Sequence, residues 1–312
     1  MLLKEVCVKI LLLSPNQEGR YNWGHQLFRN EIGRQHEVIY YGRGYRDFNP
    51  NLSVEQIIKK RYKNSQPDVL MTYGRRYTLP FKGIGEVKNI IKINIAMDYV
   101  RPVAMKNQNE MFKDHKYDLL FGTTMMAVNS LKENNACERV YFLPFSVNIN
   151  IYKNLNLRKT HDVLVAFTTR KDVYPNRLKL KGILKKMKVN IMAGRPIRYK
   201  LVEAINKCKI VVTSNNKWSS MSMRYTETLA SGGFLLTDKP GDLDILGYVD
   251  KRHLVVYKDF GDFRDKIKYY LKNDKERNKI AKQGMNFVRT NHSCERRVEE
   301  LTKILNKEFD LK

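Results

Sequence analysis

Apolar runs and amphipathic stretches alternate along the first half of the chain. The apolar runs have the length of strands, and we predict strands at 8–14, 36–42, 67–74, 90–98, 117–123 and 140–146. Amphipathic stretches lie between them, and we predict helices at 24–34, 53–63, 104–115 and 124–135. Strands that alternate with helices are typical of a parallel, doubly wound sheet.

The same alternation starts again after a link at 147–156. Here we predict strands at 161–168, 189–194, 208–214, 234–237 and 253–259, and helices at 176–188, 199–206, 225–230, 261–272, 274–289 and 293–309. With 312 residues, the chain is also long for a single core. We therefore predict an α/β fold of two Rossmann-like domains, 1–148 and 149–312, whose parallel sheets face each other across a cleft. The last helix is free to pack back on the first domain.

The stretch MRYTETLASGGFLLTDKPGD (223–242) shows one such unit in detail. We predict a short helix at Tyr225–Ala230, ended by one of the two glycines that follow, because glycine takes the left-handed C-cap conformation at little cost. The apolar run 234–237 then reads as a buried strand. Parallel sheets hold ligands at the carboxyl ends of their strands, so Arg224 and Glu227 are candidates for contact with a ligand.

The chain is strongly basic. Its 58 Lys and Arg residues against 32 Asp and Glu residues give a formal net charge of +26. The excess is concentrated at 151–200, where 14 Lys and Arg residues are accompanied only by Asp162 and Asp172 as acids. A field of this sign favours a polyanionic partner, namely nucleic acid, an anionic membrane or an acidic polymer.

The cysteines indicate a reducing compartment. Cys7, Cys137, Cys208 and Cys294 are scattered, with no CxxC pair and no His at metal-ligand spacing. We therefore predict free thiols, no structural zinc site and a cytoplasmic protein. The apolar run at 10–13 is too short for a signal peptide or a membrane span, and we expect it to form the first strand.

Residues 208–300 combine several motifs: an Arg-x-x-Glu helix, an Ala-Ser-Gly-Gly-Phe turn and a closing NHSCERRVEEL segment. This combination resembles the group 1 glycosyltransferases, in particular the branch related to spore-maturation proteins. The segment LPFSVNINIYK (143–153) is similar to the linker between the two domains of these enzymes, whereas the first half of the chain matches only in layout. The resemblance implies a GT-B fold, with a nucleotide-sugar such as a UDP-sugar in the C-terminal domain and the acceptor in the N-terminal domain.

The resemblance also implies roles for individual residues. Glu227 matches the glutamate that holds the donor ribose, and Arg224 would face the diphosphate, with Tyr225 beside it in the donor site. Arg170 and Arg177 match basic phosphate contacts. Structural alternatives exist, since Arg224 and Glu227 at i, i+3 can form a surface ion pair and Arg170 can be a solvated loop residue.

The chain departs from the family pattern at Ser219, where many of these enzymes carry a second glutamate. The retaining or inverting course of the reaction therefore stays open. The sequence DLD at 242–244 resembles the metal clamp of the other large glycosyltransferase fold, but it lies where the family has an acidic helix start. We expect no metal cofactor, with the donor charge met by arginines and helix dipoles.

Two further candidate sites lie in the first half. Gly24 and His25 follow the first strand, where a glycine can approach a ligand closely, although a purely structural turn explains them equally well. Asp98 ends the strand 90–98 at its ligand-binding end. In an inverting enzyme Asp98 would be the base for the acceptor hydroxyl, and in a retaining enzyme it would position the acceptor. A helix N-cap is the structural alternative.

Three functions remain compatible with the sequence. The first is a glycosyltransferase whose acceptor is nucleic acid, such as a modified DNA base, with the basic block near the mouth of the cleft. The lysines expected on this basic partner surface are Lys181, Lys185, Lys186 and Lys188. The second is the same enzyme acting on a cell-envelope or lipid-linked acceptor at an anionic membrane, and the third is a non-catalytic basic binding protein. The Arg224 and Glu227 motif argues for an enzyme, and the lack of a basic amphipathic helix bearing exposed Trp or Phe in the sequence favours nucleic acid.

Overall fold

The computed structural model describes residues 7–18, 23–63, 65–74 and 81–311. The chain divides into two compact units, which are Met1–Pro144 with Arg297–Lys312 (unit 1) and Phe145–Arg296 (unit 2). Each unit is built around one parallel sheet with helices on it. The predicted α/β fold with two parallel sheets is confirmed.

Unit 1 contains a six-stranded sheet. Its strands are β1 (Lys9–Leu13), β2 (Glu37–Tyr41), β3 (Val69–Tyr73), β4 (Ile91–Ala96), β5 (Leu119–Gly122) and β6 (Val140–Phe142). They lie in the order β2-β1-β3-β4-β5-β6, and every neighbouring pair is parallel. Both faces of β3 and β5 are buried, as the uninterrupted apolar runs predict for strands covered by helices on both sides.

Four helices of unit 1 connect these strands. They are α1 (Trp23–Gln35), α2 (Val54–Tyr62), α3 (Pro102–His115) and α4 (Met125–Glu133). Helix α2 begins with a capping box in which Ser53 and Gln56 satisfy each other's backbone N–H groups. The side chain of Thr124 caps α4 in a similar way by accepting from the N–H of Ala127.

Unit 2 contains a five-stranded sheet. Its strands are β7 (His161–Val165), β8 (Ile191–Ala193), β9 (Cys208–Val212), β10 (Leu235–Thr237) and β11 (Val255–Val256). They lie in the order β11-β10-β9-β7-β8, again with parallel neighbours. Its helices are α5 (Pro175–Lys186), α6 (Tyr199–Lys207), α7 (Met223–Ala230), α8 (Phe260–Lys272) and α9 (Asp274–Asn291), and α10 (Cys294–Phe309) closes the chain.

The strand order reverses direction at one point in each sheet. In unit 1 the chain moves from β1 out to β2 and then returns to β3 on the other side, and in unit 2 it moves from β7 out to β8 and returns to β9. Ligands of doubly wound sheets bind at such switch points, outside the carboxyl ends of the two strands. The β7/β9 and β1/β3 positions are therefore where functional residues are expected.

The predicted strand at 253–259 is shortened more than the others. The apolar run 253–259 forms only the two residues of β11. The reason lies at its end, where Asp259 caps α8 by accepting from the N–H groups of Gly261 and Asp262 at 2.8 and 2.9 Å. Because Asp259 is the N-cap of α8, the residues just before it cannot continue the strand.

The structure also bears on the cysteines and on membrane insertion. All four cysteines are free thiols, as predicted. Among the helices of the described residues, none is long and apolar enough to cross a membrane.

Candidate functional site

Helix α7 ends in a glycine turn that fixes its position next to the sheet. Gly232 has a φ of +71°, and its N–H donates to the carbonyl of Leu229 at 2.9 Å. The N–H of Gly233 donates to the carbonyl of Thr228 at the same distance. This pair of bonds is a Schellman motif, which a residue with a Cβ would form only under strain. The helix end predicted from the glycine pair is confirmed.

Arg224 and Glu227 form a largely buried ion pair on α7. Nη1 of Arg224 lies 3.3 Å from Oε2 of Glu227, and the two side chains are 14% and 10% exposed. A solvated surface pair would be far more exposed, so that structural alternative does not hold. Nη1 of Arg224 is itself buried and makes no hydrogen bond of good geometry with the described residues. Buried charge of this kind is costly unless a partner uses it.

Tyr152 is a third member of this group, and the sequence did not indicate it. Its side chain is buried, and its hydroxyl donates to Oε1 of Glu227 at 2.9 Å. Burial and the negative charge of Glu227 raise the pKa of Tyr152, so the hydroxyl stays protonated and acts as a donor. Tyr152 lies in the segment 143–153 that resembles the interdomain linker, which was the only available signal.

Tyr225 does not face the same way as its neighbours. It is fully buried, and its hydroxyl lies 2.5 Å from Oγ1 of Thr237 on β10. Burial and the nearby charge of Asp238 raise the pKa of Tyr225. The predicted contact of this side chain with the nucleotide-sugar is therefore corrected, because the side chain instead connects α7 to strand β10.

Arg177 is a strut between the two loops of the β7/β9 switch point. It is 4% exposed, and its Nε and Nη2 donate to the carbonyl of Ser214, after β9, at 3.2 and 2.9 Å. Its Nη1 donates to the carbonyl of Thr168, after β7, at 3.4 Å. The ring of Tyr174 covers the guanidinium with a centroid distance of 3.4 Å. The predicted phosphate contact is thus corrected to a structural role that shapes the loops.

Arg170 and Ser219 lie on the same two loops. Arg170 is exposed and pairs with Asp172, whose hydrogen bond raises the pKa of the guanidinium. Ser219 is exposed, has a φ of +54°, and its carbonyl accepts from the N–H of Gly241 at 2.8 Å. Neither loop places a carboxylate at the position where the family often has its second glutamate.

The DLD sequence does not form a metal clamp. Asp242 is buried, whereas Asp244 is exposed and pairs with Lys239 at 2.7 Å. Within the described ranges, no group of three or more His, Cys, Asp or Glu side chains could hold a metal ion.

In unit 1 the candidate residues lie at the carboxyl ends of β1, β3 and β4. Gly24 and His25 are in the first turn of α1, and Nδ1 of His25 lies 3.1 Å from the hydroxyl of Tyr73 at the end of β3. Asp98 follows β4 with a φ of +53°, in the left-handed region that Asp tolerates better than most residues. Arg101 is the N-cap of α3, so Asp98 is not a helix N-cap.

The predicted basic partner surface is displaced from the ligand edge of unit 2. Helix α5 starts after β7 at the carboxyl edge of the sheet and returns over 12 residues, about 18 Å, to the amino edge. Lys185 and Lys186 are in its last turn, and Lys188 follows it. Lys185, Lys186 and Lys188 therefore lie toward the amino edge of the unit 2 sheet, whereas Lys181 lies half-way along the helix.

Comparison with known proteins addresses the family. Residues 164–303 match the family described as Glycosyl transferase-like. The fold is similar to Anabaena HepE in complex with UDP and glucose (TM-score 0.68, 11% identity, 96% of this chain and 100% of that chain). It is also similar to sucrose-phosphate synthase of Thermosynechococcus elongatus (0.66, 10%, 97% and 99%) and a glycosyltransferase of Rickettsia africae ESF-5 (0.66, 12%, 98% and 100%). No curated protein matches the chain by sequence.

The chain has the GT-B fold, and residues 164–303 match a glycosyltransferase-like family. The predicted resemblance to the glycosyltransferases and the predicted GT-B fold are confirmed, while the branch related to spore-maturation proteins stays a prediction. The family match spans both loops of the β7/β9 switch point and all of α7, so it includes Arg224 and Glu227. Tyr152 and Asp98 lie outside the matched range.

Proposed function

We propose that the protein is a glycosyltransferase that moves a sugar from a nucleotide-sugar, such as a UDP-sugar, to an acceptor hydroxyl. The observation that carries the donor site is the buried group of Tyr152, Arg224 and Glu227 beside the switch point of unit 2. An Arg and a Glu are retained there at the cost of desolvation, which a bound ligand with hydroxyl and phosphate groups would offset. The complexes of HepE with UDP and with UDP-glucose support a donor of this class.

Each member of the group has a distinct proposed role. Glu227 accepts hydrogen bonds from the donor ribose hydroxyls, for which a carboxylate has enough lone pairs. Arg224 meets the diphosphate with its buried Nη1, together with the N-terminus of α7. Arg170, on the loop after β7, is a second candidate for the diphosphate, which would replace Asp172 as its partner. These groups supply positive charge at the leaving group without a metal.

For the acceptor we propose nucleic acid, such as a hydroxylated DNA base. The net charge of +26 supports a polyanionic partner, and Asp98 is the proposed base for its hydroxyl. Gly24 and His25, at the β1/β3 switch point, are proposed to line the acceptor pocket. No protein partner is required by this proposal.

A lipid-linked acceptor at an anionic membrane is the second candidate. One observation favours it, because Ile245 and Val249 are 61% and 48% exposed on a segment that also exposes Lys251 and Arg252, together with Asp244 and Asp250. Apolar side chains flanked by cations can enter the interface of an anionic bilayer.

Sugar transfer with defined acceptors tests these proposals. The protein is incubated with a panel of nucleotide-sugars and with hydroxymethylated DNA, unmodified DNA or a lipid-linked acceptor, and the digested nucleosides and extracted lipids are analysed by mass spectrometry. We expect a hexose adduct on the hydroxymethylated base only. Transfer to the lipid alone would contradict the proposed nucleic-acid acceptor. No transfer from any nucleotide-sugar would contradict the proposed glycosyltransferase activity.

A further inference from the structure

The carboxyl edge of the unit 2 sheet carries cations on three adjacent loops. They are 166–174 after β7, 194–198 after β8 together with the first two residues of α6 (199–200), and 213–222 after β9, and the three segments are called the edge surface. Because β7 lies between β8 and β9, the three loops are neighbours. The N–H of Lys217 donates to the carbonyl of Val173 at 2.9 Å, which joins the first and third loops.

The exposed cations of the edge surface come from each loop. Apart from Arg170, which pairs with Asp172, they are Lys171, Arg195, Lys200 and Lys217. The loops 194–200 and 213–222 contain no acidic residue at all, and the acid of the first loop, Asp172, is paired with Arg170. The edge surface therefore has a positive field that its own acids do not cancel.

Two aromatic rings lie among these cations. Tyr199 is 61% exposed, and the guanidinium of Arg198 lies 6.0 Å from its ring centroid. Trp218 is half-buried, and Nζ of Lys217 lies 4.7 Å from its ring. Cations that neutralise phosphates next to rings on which bases stack are the usual means of binding a single-stranded nucleic acid.

The chemistry proposed for the acceptor requires such a surface. An enzyme that modifies a base must take it out of the base stack or act on a single strand. Within the three loops, all of which the structure describes, the only large hydrophobic side chain that is strongly exposed is Tyr199. A surface that enters a lipid bilayer would present aliphatic side chains instead.

We propose that the edge surface binds a nucleic-acid strand with unstacked bases. The cations contact consecutive phosphates, and Tyr199 and Trp218 are platforms for bases of the same strand. The inference rests on the proposed nucleic-acid acceptor. It adds which surface of unit 2 binds the nucleic acid, and that the bound strand has unstacked bases. It takes the place of the predicted lysine surface, of which Lys185, Lys186 and Lys188 lie toward the opposite edge of the same sheet.

Two matched fourfold variants test the location of the surface. The edge variant carries Lys171→Gln, Arg195→Gln, Lys200→Gln and Lys217→Gln, and the control carries Lys181→Gln, Lys185→Gln, Lys186→Gln and Lys188→Gln. Both remove four positive charges, so a difference between them reports position and not net charge. Affinity for a fluorescent single-stranded oligonucleotide is measured across a salt series.

We expect the edge variant to bind at least about tenfold more weakly, with a salt slope that is shallower by about 0.7 for each phosphate that is no longer neutralised. The control variant should keep most of the wild-type affinity. Equal weakening in the two variants would overturn the proposal, since binding would then follow net charge alone. Loss of binding to phosphatidylserine vesicles by the edge variant, with oligonucleotide binding unchanged, would overturn it in favour of a membrane.

The aromatic residues give a second, independent readout. Tyr199→Ala and Trp218→Ala should each weaken oligonucleotide binding by about 5- to 150-fold, with an unchanged salt slope because no charge is removed. Duplex DNA should bind more weakly than the single strand and respond little to these changes. Unchanged oligonucleotide affinity in both variants would overturn the stacking role. UDP affinity of all variants is measured in parallel, so a failed donor site is distinguished from a failed edge surface.

Discussion

The hydroxyl of Tyr152 lies 2.9 Å from Oε1 of Glu227, while Nη1 of Arg224 lies 3.3 Å from the other carboxylate oxygen of the same residue. The carboxylate is thus held from two sides, by a tyrosine from the segment after β6 and by an arginine of its own helix. A carboxylate fixed in this way has its orientation set before a ligand arrives. The cost of ordering it is not incurred again on binding, which favours affinity.

The first prediction concerns Tyr152→Phe, which removes the hydroxyl and keeps the ring. Glu227 would lose a hydrogen bond to a charged group, and the free energy of unfolding should fall by about 1–3 kcal/mol. UDP affinity should fall as well, because the carboxylate is no longer fixed. Calorimetric titration and thermal unfolding measure the two effects.

Tyr62→Phe is the matched control for this change. The Tyr62 hydroxyl is also buried, but it has no hydrogen-bond partner among the described residues. Its removal should leave stability unchanged or slightly raised. Equal effects of the two substitutions would contradict the role given to the Tyr152 hydrogen bond.

The second prediction concerns Glu227 itself. Glu227→Ala should weaken UDP binding by about 1–3 kcal/mol, the decrease expected for hydrogen bonds to a charged group. It should also lower stability, because it leaves Arg224 as a buried charge without its partner. Glu227→Gln keeps the shape and should lose less stability while still losing donor affinity. Wild-type UDP affinity in both variants would remove Glu227 from the donor site.

The sequence predicted the local parts of this site and not the tertiary ones. The glycine turn and the i, i+3 spacing of Arg224 and Glu227 lie within one helix and its cap, so periodicity and cap chemistry are sufficient. Tyr152 reaches Glu227 across 75 residues, and no local pattern specifies such a contact. Arg177 is buried on α5 with Leu180 and Leu184, whereas the sequence predicted a phosphate contact for it from the family resemblance.

The third prediction contrasts two arginines of the β7/β9 loops. Arg177→Lys should lower the free energy of unfolding by about 1–3 kcal/mol, because one ammonium group cannot replace the fork that binds the carbonyls of Thr168 and Ser214. UDP affinity should also fall, because the loops after β7 and β9 are no longer held together by the hydrogen bonds of Arg177.

Arg170→Gln is the companion variant, since this side chain is exposed. Its thermal unfolding should match that of the wild type, while UDP affinity falls if the guanidinium contacts the diphosphate. A stable protein with wild-type UDP affinity would exclude Arg170 from the donor site. Wild-type stability of Arg177→Lys would show that the hydrogen bonds of Arg177 to the two loops do not stabilise the fold.

The fourth prediction uses two helical glycines with opposite surroundings. A Cβ at Gly284 in α9 would lie 2.1 Å from the carbonyl oxygen of His253 and 2.9 Å from Leu229 of α7, whereas a Cβ at Gly182 in α5 would meet nothing within 4 Å. Gly182→Ala should therefore stabilise the protein by about 0.5–1 kcal/mol through helix propensity. Gly284→Ala should destabilise it, because overpacking costs about 1–3 kcal/mol and outweighs the same gain. Chemical denaturation measures the free energy of unfolding of both variants. A Gly284→Ala variant that is more stable than the wild type would mean that α9 does not pack closely on α7.

The last prediction concerns Asp98 and separates its charge from its backbone. Asp98 has a φ of +53°, a conformation that Asn accepts about as readily as Asp, so Asp98→Asn changes the chemistry and leaves the turn intact. If Asp98 takes the acceptor proton, kcat should fall by about 10²–10⁴-fold with UDP affinity nearly unchanged. Asp98→Gly relieves the backbone and also removes the carboxylate, so it should be equally inactive while staying folded. Turnover near the wild-type level in Asp98→Asn would show that Asp98 is not the base. If Asp98→Asn keeps activity and Asp98→Gly loses it, the role of Asp98 is to position the acceptor.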